Sequence, residues 1–283
     1  MKLARFNDDR LGIVQGDRVR DVTAALDALP NYRWPLPQGD PLIAHLPGVT
    51  ARIGALIGDA PSLPLATVTL RSPVANPSKI IGAPLNYQAH EEEIDDALRH
   101  GHQLKPISEW GLFLKANSAL IGAGEPIRRR PLGERTDHEV ELAVIIGRGG
   151  TNIARADAMA HVAGYAIGLD ITARGPQFQS FRKSVDSYAV LGPWLVTSDE
   201  LGDPSDLAIG LSVNDAVRQA GRTSRMIYDV PRLIEFASSY YTLCPGDVIM
   251  TGTPDGVGPI LPGDRLRAWI DAIGEMAVRV EAA

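Results

Sequence analysis

The sequence predicts a β-rich α+β protein. Within residues 77–283, short apolar runs bounded by turn residues outnumber helical patterns, and the two do not alternate regularly, which argues against a doubly wound sheet. The chain has 283 residues, of which 45% are hydrophobic and 22% charged, as in ordinary globular proteins. A chain of this length buries a substantial core, so we expect one large domain with a small companion.

The charge balance excludes several classes of partner. With 28 basic and 34 acidic residues and a net charge of −6, the chain offers no basic surface for nucleic acid or an anionic membrane. No apolar run approaches the roughly 18 residues of a membrane span, and the first ten residues lack a signal-peptide core. The single cysteine, Cys244, cannot form a disulfide within the chain. We expect a cytoplasmic protein that binds neither nucleic acid nor membrane.

Residues 1–70 are expected to form a small N-terminal β domain and a linker. Apolar runs at 3–6, 11–14 and 19–22 are separated by turn compositions, which predicts a three-stranded meander. Residues 31–64 are rich in Pro and Gly, with one helix-like piece at about 50–57, and we interpret them as a connection.

Residues 71–283 are expected to form the main domain. Helical patterns occupy 154–160 and 230–240, and Pro-Gly-Asp triplets at 245–247 and 262–264 predict type II turns, each before a strand. The predicted strands are 79–83, 112–115, 140–146, 163–169, 194–196, 208–213, 247–251 and 265–270.

Motifs for nucleotide binding and for a nucleophilic side chain are absent from the sequence. The glycine-rich stretch 252–258 lacks the Lys-Ser/Thr pair of a P-loop, and there is no Gly-x-Ser-x-Gly elbow. Water is therefore the better candidate nucleophile.

Acidic residues stand at the ends of two predicted strands. Glu139 and Glu141 share one strand face, because side chains two apart point the same way. Carboxylates this close repel each other unless a cation lies between them, and a hard divalent ion with oxygen ligands is the usual solution. Asp170, at the end of another apolar strand, would complete an open Mg²⁺ or Mn²⁺ site. The alternative for Glu139 and Glu141 alone is a solvated strand face.

A His-x-x-Glu pair follows the first strand of the main domain. On a helix, the three-residue spacing places His90 and Glu93 on one face, where the carboxylate would make the imidazole a better base for deprotonating water. The alternative is an amphipathic surface helix. The polar, glycine-punctuated residues 94–110 predict a mobile lid over the site.

Cationic residues beside these motifs suit an anionic substrate. Arg174 with Gln177 would bind a carboxylate, and Lys183 would stabilise an enolate or orient water. Lys115 ends a short apolar strand. The alternative for each cation taken singly is a solvated surface position.

Taken together, these segments resemble a known family. In chain order they are Lys79-Ile80-Ile81-Gly82, Asn86-Tyr87 with His90, Phe113-Leu114-Lys115, Asp137 to Leu142, Gly164-Tyr165, Asp170 to Arg174 with Gln177, Lys183-Ser184, Gly192-Pro193-Trp194 and Pro245 to Gly258. Their order and spacing over about 77–278 resemble the fumarylacetoacetate hydrolase family. The resemblance implies a mixed β-sandwich roll, a small variable N-terminal β domain and a homodimer.

The resemblance also implies a role for each matching position. Glu139, Glu141 and Asp170 would be the metal ligands, His90 with Glu93 the water-activating dyad, and Lys183 the group that holds the nucleophile or the enolate. Lys115, Arg174 and Gln177 match positions that line the substrate pocket, and Thr253 matches a pocket-edge loop where it would donate to a substrate carboxylate. Gly175-Pro176 departs from the family, which commonly has Asp and a variable residue there.

The leading hypothesis is hydrolysis of a carbon–carbon bond in an acylpyruvate, such as fumarylpyruvate or maleylpyruvate, in aromatic catabolism. The substrate's 1-carboxylate and 2-oxo group would bind the metal, His90 would activate water for attack at the 4-carbonyl, and pyruvate would leave as its enolate. Alternatives with the same site are decarboxylation of oxaloacetate, isomerisation or decarboxylation of a hydroxymuconate-type acid, dehydration of a sugar acid and hydrolysis of a diketo sugar acid. An alternative of another class is a non-catalytic ligand-binding scaffold.

Overall fold

Strands are the main secondary structure of the protein. The computed structural model describes residues 1–89, 105–132 and 135–283. In chain order its strands are β1 (Lys2–Phe6), β2 (Arg10–Gln15), β3 (Arg18–Asp21), β4 (Ser62–Pro64), β5 (Leu70–Arg71), β6 (Ile80–Gly82), β7 (Phe113–Lys115), β8 (Leu120–Gly122), β9 (Ile127–Arg129), β10 (Arg135–His138), β11 (Val140–Ile146), β12 (Val162–Asp170), β13 (Thr172–Arg174), β14 (Ala189–Thr197), β15 (Ala208–Val213), β16 (Ala216–Arg222), β17 (Val248–Met250), β18 (Gly258–Pro259), β19 (Arg265–Ile270) and β20 (Gly274–Ala282).

Helices are fewer and mostly short. The α-helices are α1 (Pro41–Ala44), α2 (Leu46–Leu56), α3 (Ile107–Trp110), α4 (Gln179–Lys183), α5 (Ser198–Leu201) and α6 (Val230–Tyr240), and 3₁₀ helices span Thr23–Ala28, Leu65–Thr67, Asn117–Ala119, Arg155–His161 and Thr223–Arg225. In this described part of the chain, no helix combines the length and the apolarity that crossing a membrane requires.

The helix predictions are confirmed in part. The helix predicted at 230–240 forms as α6, which begins where the Asp229 side chain accepts a hydrogen bond from the Arg232 backbone N–H. The helix predicted at about 50–57 starts earlier, at Leu46, because a proline in its first turn suits a helix start. The pattern at 154–160 forms a 3₁₀ helix instead of an α-helix.

A large mixed sheet lies at the centre of the protein. Its strand order is β4-β3-β2-β1-β14-β12-β11-β17-β6-β7, with β5 also paired to β1 and β8 to β14. Strands β11, β12 and β14 are buried along their whole length. Val144 and Ile146 enter one hydrophobic cluster, whereas Ala143 and Ile145 enter another, so both faces of the sheet are covered.

Two smaller sheets complete the architecture. One has the order β13-β10-β18 and the other β16-β15-β19-β20-β9. Leu211 of β15 and Leu266 of β19 belong to the same core as Leu142 and Ile167 of the large sheet, so the sheets pack face to face. This arrangement is the β-rich, mixed α+β fold that the sequence predicts.

The predicted N-terminal meander forms as β1, β2 and β3. Strand β1 also pairs with β14, where Lys2 lies opposite Val196 and Leu3 opposite Leu195. The meander therefore extends the large sheet. The division into a domain at residues 1–70 and a domain at 71–283 stays a prediction.

Candidate active site

The predicted metal ligands come together where the large sheet meets the sheet of β10 and β13. Glu139 lies between β10 and β11, Glu141 within β11, and Asp170 at the end of β12. In the antiparallel pair β11–β12, Val140 is opposite Leu169, and the Asp170 backbone N–H donates to the Glu139 carbonyl at 2.9 Å. Asp170 therefore lies opposite Glu139, and Glu141 shares their face because it is two residues along the strand.

The geometry of the three carboxylates fits one divalent cation. One oxygen from each of Glu139, Glu141 and Asp170 lies within 4.8 Å of the other two. All three side chains are buried, with exposed fractions of 4%, 2% and 0%. Oxygens spaced this way can share one hard ion at about 2.0–2.6 Å.

Two buried lysines face the same carboxylates. The Lys183 ammonium donates to Glu139 Oε2 at 2.9 Å, to Asp170 Oδ2 at 2.5 Å and to Thr172 Oγ1 at 2.7 Å. Lys115 donates to the other oxygen of Asp170. Both ammonium groups therefore lie beside the point where the carboxylates converge, and can stabilise negative charge on a ligand there.

The two lysines differ in how burial and charge affect them. For Lys183, burial disfavours the ammonium form, but Asp170 and Glu139 outweigh this and hold its pKa above the usual value. For Lys115, burial prevails over the attraction of Asp170, with Lys183 adding to the effect, and its pKa is lowered. Lys183 is therefore the more firmly charged of the two.

Arg174 is engaged by protein carboxylates. Its Nε donates to Asp137 Oδ2 at 2.7 Å and its Nη2 to Glu139 Oε1 at 2.5 Å. Asp137 is fully buried, and the side chain of Arg174 is only 14% exposed. Arg174 thus holds Glu139 from one side while Lys183 holds it from the other. Its expected role as a substrate contact stays a prediction.

Glu141 is the carboxylate whose charge is least compensated. It accepts the Gly252 backbone N–H at 2.6 Å, and no Lys or Arg within 1–89, 105–132 and 135–283 forms an ion pair with it. Burial, then the charges of Asp170 and Glu139, raise the pKa of Glu141 well above its usual value. A divalent cation at this point would supply the missing positive charge, so the residues present fit a metal ion.

Two buried side-chain atoms, one of them on Tyr87 beside Glu141, lack a protein partner within the described part of the chain. Buried polar atoms are normally hydrogen-bonded, yet the Tyr87 hydroxyl and Gln177 Oε1 have no partner among the described residues. Burial and the charge of Glu141 raise the pKa of Tyr87, so its hydroxyl keeps its proton. The Tyr87 hydroxyl is therefore available to a substrate or to water.

Thr253 is buried beside this site. It is 3% exposed, and its Oγ1 accepts a hydrogen bond from Gln219 Nε2 at 2.7 Å. Its turn is held by the fully buried Asn86, whose Nδ2 donates to the Thr251 carbonyl at 2.7 Å. The substrate contacts expected of Lys115, Gln177 and Thr253 stay predictions.

The sequence reasoning missed three residues that shape the site. Tyr87 and Asp137 each lie close in sequence to predicted site residues, and that proximity is the signal in the sequence that points to them. Gln219 carried no signal, because it lies in the mostly exposed strand β16.

The predicted dyad lies outside the described residues. His90 and Glu93 are not among them, nor is most of the predicted lid at 94–110. The described end of that segment forms α3, with an ion pair between Lys105 and Glu109 at 3.1 Å. Both the dyad and the lid stay predictions.

Fold and site together define a class of protein. A mixed β-rich core presents a buried trio of carboxylates beside two buried lysines, which is the donor set of an enzyme that uses a hard divalent ion. Residues 79–281 match the family described as fumarylacetoacetate (FAA) hydrolase C-terminal. The chain belongs to the fumarylacetoacetate hydrolase family.

Individual relatives are similar over the whole chain or most of it. A maleylpyruvate hydrolase of Aquipseudomonas alcaligenes is 54% identical over 286 residues, covering 100% of both chains. A mitochondrial oxaloacetate tautomerase of Homo sapiens is 37% identical over 80% of this chain and 74% of its own. The crystal structure of maleylpyruvate hydrolase from Sphingobium sp. SYK-6 in complex with manganese(II) and pyruvate has a TM-score of 0.85 and 41% identity, with full coverage of both chains.

Proposed function

We propose that this protein is a divalent-metal-dependent hydrolase that cleaves a carbon–carbon bond of an acylpyruvate. The substrate is a 2,4-dioxo acid of the maleylpyruvate or fumarylpyruvate type, and the products are pyruvate and a carboxylic acid. The observation that carries the proposal is the buried trio Glu139, Glu141 and Asp170, in a chain 54% identical over its full length to a maleylpyruvate hydrolase.

The metal would be Mg²⁺ or Mn²⁺, held by Glu139, Glu141 and Asp170. An all-oxygen donor set suits either ion, and a manganese complex of a 41% identical relative supports the choice. When bound, the ion supplies Lewis-acid polarisation of the substrate's oxo group.

The chain's own cations would stabilise the leaving group. Water adds to the 4-carbonyl, the C3–C4 bond breaks with its electron pair on C3, and that carbanion is conjugated to the 2-oxo group as an enolate. The Lys183 ammonium, which lies 2.5 Å from Asp170 and is buried, would stabilise the enolate oxygen electrostatically in a site of low dielectric. Protonation at C3 then gives pyruvate.

The remaining roles concern water and substrate binding. His90 assisted by Glu93 would take the proton from the attacking water, a role that rests on their three-residue spacing. The substrate's carboxylates would be bound by Thr253, Gln177 and Arg174, or would lie in a pocket that these residues shape. Lys115 would add positive charge beside Asp170.

Assembly and location form part of the proposal. We propose a homodimer, which the family membership supports, and a cytoplasmic location, which the single cysteine supports. Size-exclusion chromatography with light scattering is expected to give twice the mass of one chain.

Product analysis tests the activity. Metal-free protein supplied with Mg²⁺ or Mn²⁺ is incubated with maleylpyruvate, fumarylpyruvate and a saturated acylpyruvate, and pyruvate and the second acid are measured by NMR. We expect equal amounts of both acids, with none from the Asp170→Asn variant and a normal yield from Asp206→Asn, a change in an exposed ion pair. Folded, metal-bound protein that releases no pyruvate from any of these acids would overturn the proposal and favour a binding scaffold.

Oxaloacetate tautomerisation is a second candidate. It is favoured by the 37% identity to the human oxaloacetate tautomerase, and the same enolate-stabilising site would serve it. Ultraviolet absorbance follows the interconversion of enol and keto oxaloacetate, and a coupled pyruvate assay separates this from decarboxylation. The hydrolase proposal predicts that acylpyruvate cleavage has the higher kcat/KM.

A further inference from the structure

Gln219 is buried on a strand that is otherwise mostly exposed. Strand β16 is an edge strand, and Gln219 is its one fully buried residue, with an exposed fraction of 0%. A β-bulge lies beside it, because Leu211 pairs with Gln219 but Ser212 pairs with Val217, which leaves Arg218 unpaired in the ladder. Bulges of this kind re-aim a neighbouring side chain, here towards the interior.

The amide of Gln219 uses its full hydrogen-bonding capacity. Its Oε1 accepts from the Val140 backbone N–H at 3.1 Å and faces His138 Nδ1 at 3.0 Å, while its Nε2 donates to the Pro254 carbonyl at 2.8 Å and to Thr253 Oγ1 at 2.7 Å. A backbone N–H can only donate and a carbonyl can only accept, so these two partners fix which end of the amide is which.

This orientation determines what Thr253 can offer to a ligand. Because Thr253 Oγ1 accepts the Gln219 N–H, the hydroxyl proton of Thr253 is left to donate to another acceptor. A carboxylate is such an acceptor, and hydrogen bonds to charged groups are the stronger ones.

Gln219 also fixes the loop that carries Thr253. The Gly252 N–H of this loop binds Glu141 Oε2 at 2.6 Å. At Gly256, which has a φ of +91°, a Cβ atom would lie 1.8 Å from the Arg218 carbonyl oxygen, so the loop runs directly against the bulge. Val140, whose backbone N–H donates to Gln219 Oε1, lies between Glu139 and Glu141. The Gln219 side chain therefore bridges the backbone between Glu139 and Glu141 and the Thr253 hydroxyl.

We infer that Gln219 is a positioning residue for substrate binding, which holds the Thr253 hydroxyl as a hydrogen-bond donor towards a substrate carboxylate. The inference rests on the proposed acylpyruvate hydrolase function. It predicts that Gln219 acts through Thr253 and leaves the metal site intact.

Steady-state kinetics with maleylpyruvate and Mn²⁺ test the inference through Gln219→Met, Gln219→Glu, Thr253→Val and the double variant Gln219→Met/Thr253→Val. Gln219→Glu keeps the acceptor for Val140 but replaces the donor to Thr253. We expect KM to rise about 10-fold or more in both Gln219 variants, because the hydrogen bond from the Thr253 hydroxyl to the charged substrate carboxylate is lost. The value of kcat should change less, and the affinity for Mn²⁺ measured by calorimetry should be unchanged. Gln15→Met, at an exposed strand end, is the matched control.

The double variant separates positioning from a merely structural role. If Gln219 acts through Thr253, then adding Gln219→Met to Thr253→Val raises KM little further. The single variant Thr253→Ser, which keeps the hydroxyl, should have a KM close to that of the wild type. A wild-type KM in the Gln219 variants, additive effects in the double variant, or weakened Mn²⁺ binding would each overturn the inference. Should Gln219→Met fail to fold, Gln219→Glu decides between these outcomes. Wild-type protein that releases no pyruvate overturns the proposed function, and this inference with it.

Discussion

Replacing Arg174 by methionine tests whether this arginine holds the buried carboxylates together. Arg174→Met keeps most of the side-chain stem but leaves Asp137 and Glu139 without the guanidinium that binds them at 2.7 and 2.5 Å. Removing one partner of a buried ion pair costs about 3–5 kcal/mol. Glu139 retains Lys183 and Asp137 retains Arg135, so we expect the lower end, about 3 kcal/mol.

The assay is unfolding of the metal-free protein by heat and by urea. For a chain of this size, about 3 kcal/mol corresponds to a fall in Tm of about 6–12 °C. Arg267→Met is the matched control, because Arg267 pairs with Glu275 at 2.5 Å with both side chains more than half exposed. The control should leave Tm close to that of the wild type, since solvent screens exposed pairs. A second substitution, Asp137→Asn, should restore part of the stability lost in Arg174→Met.

The difference in Tm between Arg174→Met and Arg267→Met shows whether Arg174 holds the buried carboxylates. If Arg174→Met lowers Tm no more than Arg267→Met does, Arg174 does not hold the carboxylates, and its expected role as a free substrate contact becomes the better explanation.

Three further predictions follow from the same contacts. The raised pKa of Glu141 means that the folded metal-free protein binds the Glu141 proton more tightly than the unfolded chain does, so this proton stabilises the metal-free fold at low pH and the stabilisation is lost as pH rises. The increase in Tm caused by Mn²⁺ should therefore grow between about pH 5 and pH 8. An increase in Tm that does not change with pH would contradict the assignment of Glu141 as a metal ligand. Lys183→Met should lower kcat about 10²-fold or more, because an electrostatic stabiliser is lost, without weakening Mn²⁺ binding in calorimetry; an unchanged kcat would exclude that role. Asn86→Ala removes a fully buried amide that bonds Thr251 and Tyr228 and should cost about 2 kcal/mol or more in urea unfolding; a near-neutral effect would show that the amide is dispensable.

Much of the fold could be predicted because its central strands are locally encoded. Strand β11 forms over the predicted residues 140–146, since an apolar run of this length is buried on both faces of the sheet. Strand β20 is not among the predicted strands, although Met276, Val278 and Val280 alternate with exposed residues, which is a period-2 pattern in the sequence. Strand β16 has no such alternation, because most of it is exposed at a sheet edge.

The site likewise contains some contacts that the local sequence predicts and others that it does not. The convergence of Glu139 with Glu141 follows from the two-residue period of one strand, and Asp170 joins them through the register of β11 and β12. The bond from Arg174 to Asp137 depends on the pairing of β13 with β10, where Arg135 lies opposite Arg174. The contacts of Gln219 depend on a bulge and on a loop more than 30 residues away in sequence. Neither the pairing of β13 with β10 nor the bulge beside Gln219 leaves a pattern in the local sequence.

Anomalous diffraction from crystals grown with Mn²⁺ and pyruvate tests the central claim most directly. We predict one strong manganese peak per chain, about 2.1 Å from a carboxylate oxygen of each of Glu139, Glu141 and Asp170, with pyruvate beside it, and no peak at this position in Glu141→Gln crystals. Manganese bound elsewhere, or at this position unchanged in Glu141→Gln, would contradict the assignment of these carboxylates as the metal site.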